Sequence, residues 1–263
     1  MRVPRCALTA VCALILAIAL SAFAPPASAA TVNYVALGDS YASGLGAGSY
    51  DSASGNCKRS NNAYPKLWAN ANSPTTFRFV ACAGATTTSV MNDQLSALSS
   101  STTLVTVTVG GNDAGFSSVM ETCVLGSDST CLNAINNAKT FMQNQLPGRL
   151  DTLYRAIRSK APSARVVVLD YPRLYTIVSG CIGLSNTKRT ALNSAADLLD
   201  SVIASAAGRA GFTLSGVRDE FNGHELCSGD DWLNAVTIPL NHSYHPTALG
   251  QRHGYYAALN SVL

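Results

Sequence analysis

Apolar residues fall along this chain in two rhythms. Short unbroken runs cover Val32 to Leu37, Thr102 to Val109 and Arg165 to Leu169. The last two are rich in β-branched residues, and the three end at Gly38, at Gly110-Gly111 and at Asp170-Tyr171-Pro172. Runs this short, bounded by turn residues, predict strands buried on both faces, as in a parallel sheet. Phe77 to Ala81 adds a fourth, less apolar run. Between the runs, apolar positions recur every three or four residues. Leu150, Leu153, Tyr154 and Ile157 predict a helix over Gly148 to Ser159, with Pro162 past its end. Leu192, Ala195, Ala196, Leu199, Val202 and Ile203 predict another over Thr187 to Gly208, and Leu249 to Val262 reads as a terminal helix. Strands alternating with helices predict an α/β fold, a three-layer α/β/α sandwich around a central parallel sheet. No internal repeat, linker or low-complexity stretch interrupts it, so one domain is expected over residues 30–263.

The first thirty residues follow neither rhythm. Arg2 and Arg5 precede an uncharged apolar stretch from Ala7 to Ala24, then Pro25-Pro26 and the small-x-small sequence Ala27-Ser28-Ala29. That layout predicts a secretory signal peptide over residues 1–29, removed on export, and hence a secreted, extracellular protein. A retained membrane anchor is the competing reading, which the proline pair and the cleavage sequence disfavour. Removal of Arg2 and Arg5 takes the 18 basic residues to 16 against 15 acidic ones, so the formal charge falls from +3 to +1. Only 13% of the chain is charged, about half the ~25% of an ordinary soluble domain. A near-neutral chain without a basic stripe excludes a nucleic-acid partner.

Loss of Cys6 and Cys12 with the leader leaves six cysteines. An even count in an exported chain predicts disulfides. Pairing nearest neighbours gives Cys57–Cys82, Cys123–Cys131 and Cys181–Cys227, each in a Gly/Ser/Asn-rich stretch and each closing a local loop. Such bridges contribute roughly 2–4 kcal/mol each. A zinc site lacks its usual C-x-x-C pair, and His242-x-x-His245 has no carboxylate close by, so no metal and no cofactor is expected.

In parallel sheets, sites form just past the carboxyl ends of strands. Four places of this kind carry unusual residues. The first run ends in Gly38-Asp39-Ser40-Tyr41-Ala42-Ser43-Gly44. A serine there can expose its hydroxyl on a tight turn, or simply start a helix, since Ser and Asp are favoured caps. Ala83-Gly84-Ala85 follows the Phe77 run, and a glycine there lets the backbone approach a ligand, or makes a plain turn. Gly110-Gly111-Asn112-Asp113 follows the Thr102 run; Gly and Asn are ordinary turn residues, yet an Asn amide can also stabilise an oxyanion. His245-Pro246 precedes the last predicted helix.

In this order the four resemble the SGNH (GDSL-type) hydrolase family, with Ser40, Gly84, Asn112 and His245 as the lettered residues. The likeness runs from Val32 to the C-terminus. It implies a flavodoxin-like sheet and looks most like the secreted lipases, esterases and phospholipases A1 of actinomycete bacteria. It implies that Ser40 Oγ attacks an ester carbonyl and that His245 is general base, then acid. The N–H groups of Ser40 and Gly84, with the Asn112 amide, would form the oxyanion hole. One departure stands out. Many members place Asp three residues before the histidine; here that residue is His242, and no acid lies between Trp232 and His253. A Ser40–His245 dyad is therefore expected, with the main-chain carbonyl of Ser243 orienting the imidazole and His242 as second choice; the competing acids are Asp230 and Asp231. Asp39 is expected to hold the turn. The implied partner is a lipid or other ester substrate, with transient contact to a lipid interface, the protein acting as a monomer. The Leu45–Asn62 stretch is expected as a loop near the mouth, with Tyr41, Leu45, Phe116 and Tyr175 as groove-forming candidates. A carbohydrate deacetylase of acetylxylan type would use the same centre but would want sugar-stacking platforms, for which Trp68 and Trp232 are the tryptophans available. A non-catalytic binding protein on this fold would usually lose Ser or His, and both are present.

Overall fold

Five short strands carry the architecture in a computed structural model that describes residues 31–263. They are β1 (Asn33–Gly38), β2 (Thr76–Phe79), β3 (Leu104–Thr108), β4 (Arg165–Leu169) and β5 (Thr213–Ser215), all parallel, in the order β2-β1-β3-β4-β5. The expected leader, residues 1–29, lies outside the described residues, and Val32–Leu263 pack as one compact unit. β3 is buried throughout and β4 from Val166 onward, which is why their sequences are continuous apolar runs rather than alternating ones. The edge strands β2 and β5 are only partly buried, and correspondingly faint in the sequence.

The principal helices are α1 (Ser40–Ser43), α2 (Tyr64–Asn72), α3 (Phe116–Leu125), α4 (Asp128–Asn144), α5 (Leu146–Lys160) and α6 (Asn186–Ala210); a π-helical turn over Gly250–Tyr256 then continues into α7 (Ala257–Val262). They fall into two groups. α3, α4, α5 and α6 pack side by side, while α2, the π-helical turn and α7 pack together. Central strands buried on both faces need both groups, and the fold is an α/β sandwich.

The predicted helices over 148–159 and 187–208 appear as α5 and α6, each slightly longer at both ends. α2, α3 and α4 were not legible in the pattern. In α4 only Cys131, Ile135, Ala138 and Met142 are buried, a stripe one residue wide among Asn, Thr and Ser. Those polar residues favour turns on their own, so tertiary packing decides the helix. The terminal helix is present, but its first turns are π-helical.

The strand order decides where chemistry can sit. The chain leaves β1 toward β2 and then crosses β1 to reach β3, so the carboxyl ends of β1 and β3 flank a topological switch point. Gly38 pairs with Thr108 at that end of the sheet. Its φ is +131°, and an added Cβ would meet the Thr108 carbonyl oxygen at 2.5 Å, so only glycine lets the two strands end this close. Gln94 satisfies the same backbone, accepting from Gly38 N and donating to Gly38 O, each at 2.8 Å.

Candidate active site

Ser40 opens α1 directly after β1 and is 6% exposed. Asp39 caps that turn: one carboxylate oxygen accepts from Tyr41 N at 2.9 Å and the other from the Tyr171 hydroxyl at 2.5 Å. Both roles suggested for the segment are therefore present, with Asp39 as the cap and the neighbouring serine hydroxyl free for other work. Asp39 is wholly buried, and burial raises its carboxyl to about 7 against the opposing pull of Tyr171. The Tyr171 hydroxyl also accepts from Gly111 N at 3.2 Å, tying the turn after β1 to the turn after β3.

His245 arrives from the far end of the chain. Its Nε2 stands 2.8 Å from Ser40 Oγ and its Nδ1 3.0 Å from the Ser243 carbonyl oxygen. A carbonyl can only accept, so Nδ1 carries the hydrogen and Nε2 is left as the acceptor facing the serine. Burial lowers the imidazole to about 4, although the Ser243 carbonyl pulls it upward. The neutral ring is thus the resting form. His242 turns elsewhere, its Nε2 3.3 Å from the Tyr50 hydroxyl. Asp230 pairs with His224, and Asp231 accepts from the backbone of Cys227, Ser228 and Gly229. Neither acid is hydrogen-bonded to His245.

The segment holding His245 is itself clamped. Tyr244 has φ +65°, and its carbonyl accepts from the Tyr41 hydroxyl at 2.7 Å. Asn234 Nδ2 donates to the His245 carbonyl at 2.9 Å and to Gly46 O at 3.2 Å. Gln251 Nε2 donates to Tyr41 O at 2.9 Å. Residues beside the serine and residues beside the histidine therefore hold one another.

Gly84 and Asn112 complete the group. Gly84 has φ +80°, a left-handed turn after β2. Asn112 Nδ2 donates to Ala85 O at 3.0 Å, and Asp113 accepts from Thr87 N at 2.9 Å and from Thr87 Oγ1 at 2.6 Å. The turn after β3 thus fastens the loop that carries Gly84. Ser40, Gly84, Asn112 and His245 all line one open cavity of about 730 Å³. Leu45, Asn56 and Lys58 from the Leu45–Asn62 stretch line it too, as do the exposed side chains of Leu125, Val236 and Leu240. Phe116 lines this cavity; Tyr41 lines a second, narrow one that also reaches Ser40, and Tyr175 lines neither.

Three disulfides are formed: Cys57–Cys82, Cys123–Cys131 and Cys181–Cys227. The first holds the mouth loop against the end of β2, where Ala83 N also donates to Cys57 O at 3.1 Å. Neither tryptophan serves the cavity. Trp68 packs edge-on to Tyr34 in the core, and Trp232 stacks on His224 at 3.6 Å. Asn234, Tyr171 and Asp113 escaped the sequence reading. Tyr171 sits at a strand end and Asp113 within the Gly-x-Asn-Asp block, so their positions were signals; Asn234 carries none.

Chemically, the arrangement offers a hydroxyl with an acceptor for its proton, beside two backbone N–H groups and an amide. The sequence profile of the GDSL-like lipase/acylhydrolase family matches residues 36–253. Lipase 1 of Streptomyces coelicolor is 56% identical over 235 residues, covering 89% of this chain and 88% of the relative. The crystal structure of phospholipase A1 from Streptomyces albidoflavus superposes with a TM-score of 0.87 at 56% identity, covering 88% of this chain and 99% of that one. That of the extracellular lipase from Streptomyces rimosus does so with a TM-score of 0.87 at 52% identity, covering 89% and 100%.

Proposed function

The chain belongs to the GDSL-like lipase/acylhydrolase family and is an ester hydrolase, and from that premise we propose that it cleaves acyl esters of lipids through an acyl-enzyme on Ser40. The observation that carries this reading is the 2.8 Å contact between Ser40 Oγ and a His245 whose other nitrogen faces a carbonyl. Ser40 Oγ attacks the ester carbonyl carbon while His245 Nε2 takes its proton. The negative oxygen of the tetrahedral intermediate is met by the N–H groups of Ser40 and Gly84 and by an N–H of Asn112 Nδ2. The intermediate collapses, breaking the bond to the alcohol, which leaves with the proton from Nε2. Water then gives a proton to His245 Nε2 and attacks the acyl carbonyl carbon; the second intermediate breaks its bond to Ser40 Oγ, which takes the proton back from Nε2 as the acid is released. Ser243 O steadies the imidazolium at Nδ1, less strongly than a carboxylate would, because the carbonyl is a neutral dipole.

Export is part of the proposal. It rests on the predicted leader, on three disulfides and on the likeness to a lipase described as extracellular. Among the described residues no helix is long and apolar enough to cross a membrane. The enzyme is taken to work as a monomer that touches a lipid interface transiently. A sugar-directed deacetylase is the poorer fit, since both tryptophans lie away from the cavity.

A fluorophosphonate should label Ser40 and stop hydrolysis of phosphatidylcholine and triacylglycerol, with no labelling of Ser40→Ala. An active preparation left unlabelled would overturn serine catalysis. Asn112→Ala is expected to lower kcat by about 10²–10³ with little change in KM; a wild-type kcat would remove Asn112 from the site.

A further inference from the structure

A second cavity reaches the same serine. It holds about 70 Å³ and shares Ser40, Asn112 and Phe116 with the open one. It runs beneath α3, α4 and α6, between Val119, Ile135, Ala138, Met142, Leu192 and Ala195. Apart from the groups at its Ser40 end it is lined by apolar side chains. The two spaces differ in one further respect: His245 and Ser243 line the wide cavity and are absent from the narrow one.

We propose that the narrow interhelical cavity is the acyl arm of the site and the wide cavity the alcohol arm. This rests on the acyl-enzyme reading above. The chemistry of that reading separates the two ends of an ester. The leaving alcohol must receive a proton from His245 Nε2, so it departs on the side that His245 lines. The acyl group stays bonded to Ser40 Oγ until water arrives, so its chain must extend elsewhere. The narrow cavity is the space beside Ser40 that excludes the histidine. Its alanines and its long, adaptable Met142 leave a slot between helices instead of a filled core.

Size sets a limit. At about 70 Å³ the slot holds only a short run of methylene groups. Each one buried should raise kcat/KM by about fourfold until the slot is full. Acyl preference should therefore climb with chain length and break once the slot is full. The alcohol, entering an open space of about 730 Å³, should show no break at that length.

The test uses two series of soluble esters on the intact secreted enzyme: ethyl esters of lengthening acids, and acetate esters of lengthening alcohols. The break is expected in the first series alone. Ala138→Leu on α4 and Ala195→Leu on α6 should move it to shorter acids. Met142→Ala should move it to longer ones. General damage to the fold would lower all esters together and could not shift the break in both directions. A break in the alcohol series overturns the assignment. So does an acyl break that stays put in all three variants. Both series are also read on the wild-type enzyme, so a variant that fails to fold leaves the result decisive. Hydrolysis with the wrong profile overturns the arm assignment alone; absence of hydrolysis in both series overturns the acyl-enzyme reading together with it.

Discussion

A buried imidazole beside a carbonyl behaves differently from one beside a carboxylate. No fixed negative charge offsets desolvation at His245, and burial carries the ring to about 4. Two consequences follow at this scale. The ring is a competent base wherever it is neutral, so kcat/KM should hold through mildly acidic pH and fall only as pH drops through a value well below the usual histidine range near 6.5. A pH–rate profile with its acidic limb near 6.5 would show that the base is not this ring. The same depression affects folding. The unfolded chain binds the proton first, so the stability held above about 6.5 erodes as pH falls and is lost by about 4. Denaturant midpoints between these limits should decline in the wild type more than in His245→Gln.

At the scale of elements, the turns around this site are bound to one another. The turn after β1 is joined to that after β3 through Tyr171, and the loop after β2 to that after β3 through Asn112 and Asp113. The Asp113 side chain is fully buried while holding Thr87, so its loss leaves a backbone N–H and a hydroxyl unpaired. Asp113→Ala should destabilise the protein by about 1–3 kcal/mol and lower kcat by loosening Gly84. Thermal unfolding and steady-state kinetics check it; an unchanged kcat would mean that Gly84 is held by other means. α6 acts similarly on α3: Lys188 Nζ donates to the carbonyls of Cys123 and Gly126 at 2.8 and 2.7 Å, covering the end of the helix that roofs both cavities.

At the scale of the whole molecule, the surface near the cavity mouth is unusually apolar. Leu125, Val236 and Leu240 line the mouth and are exposed, and Ile238, between the last two in sequence, is 91% exposed. Such a cluster next to a cavity suits a substrate presented in an aggregate. Ile238→Ser should slow hydrolysis of an emulsified triacylglycerol by about three- to tenfold. Turnover of a dissolved short ester should stay constant, since Ile238 does not line the cavity. Equal loss on both substrates would deny the surface that role.

Much of this was legible in the linear pattern. A strand buried on both faces must be apolar throughout, so the cores of β1, β3 and β4 announced a parallel sheet, and a parallel sheet announces its site at its strand ends. Ser40, Gly84 and Asn112 are readable because each stands within a residue or a few of such an end. α4 and β5 were not, since one has a narrow buried stripe among turn-favouring residues and the other is three residues at an edge. Sequence alone could say that His245 lacked a nearby acid. It could not say that Ser243 O would stand 3.0 Å from Nδ1, or that Tyr41 and Asn234 would clamp the segment. The Tyr41 contact joins residues 203 positions apart, and the other two, 11 and 2 positions apart, depend on how the chain folds back on itself locally. Neither could it reveal the slot under α3, α4 and α6, because an empty space belongs to no residue. Local chemistry and periodicity are written along the chain, whereas distances across the fold and the gaps between its helices exist only once the helices have packed.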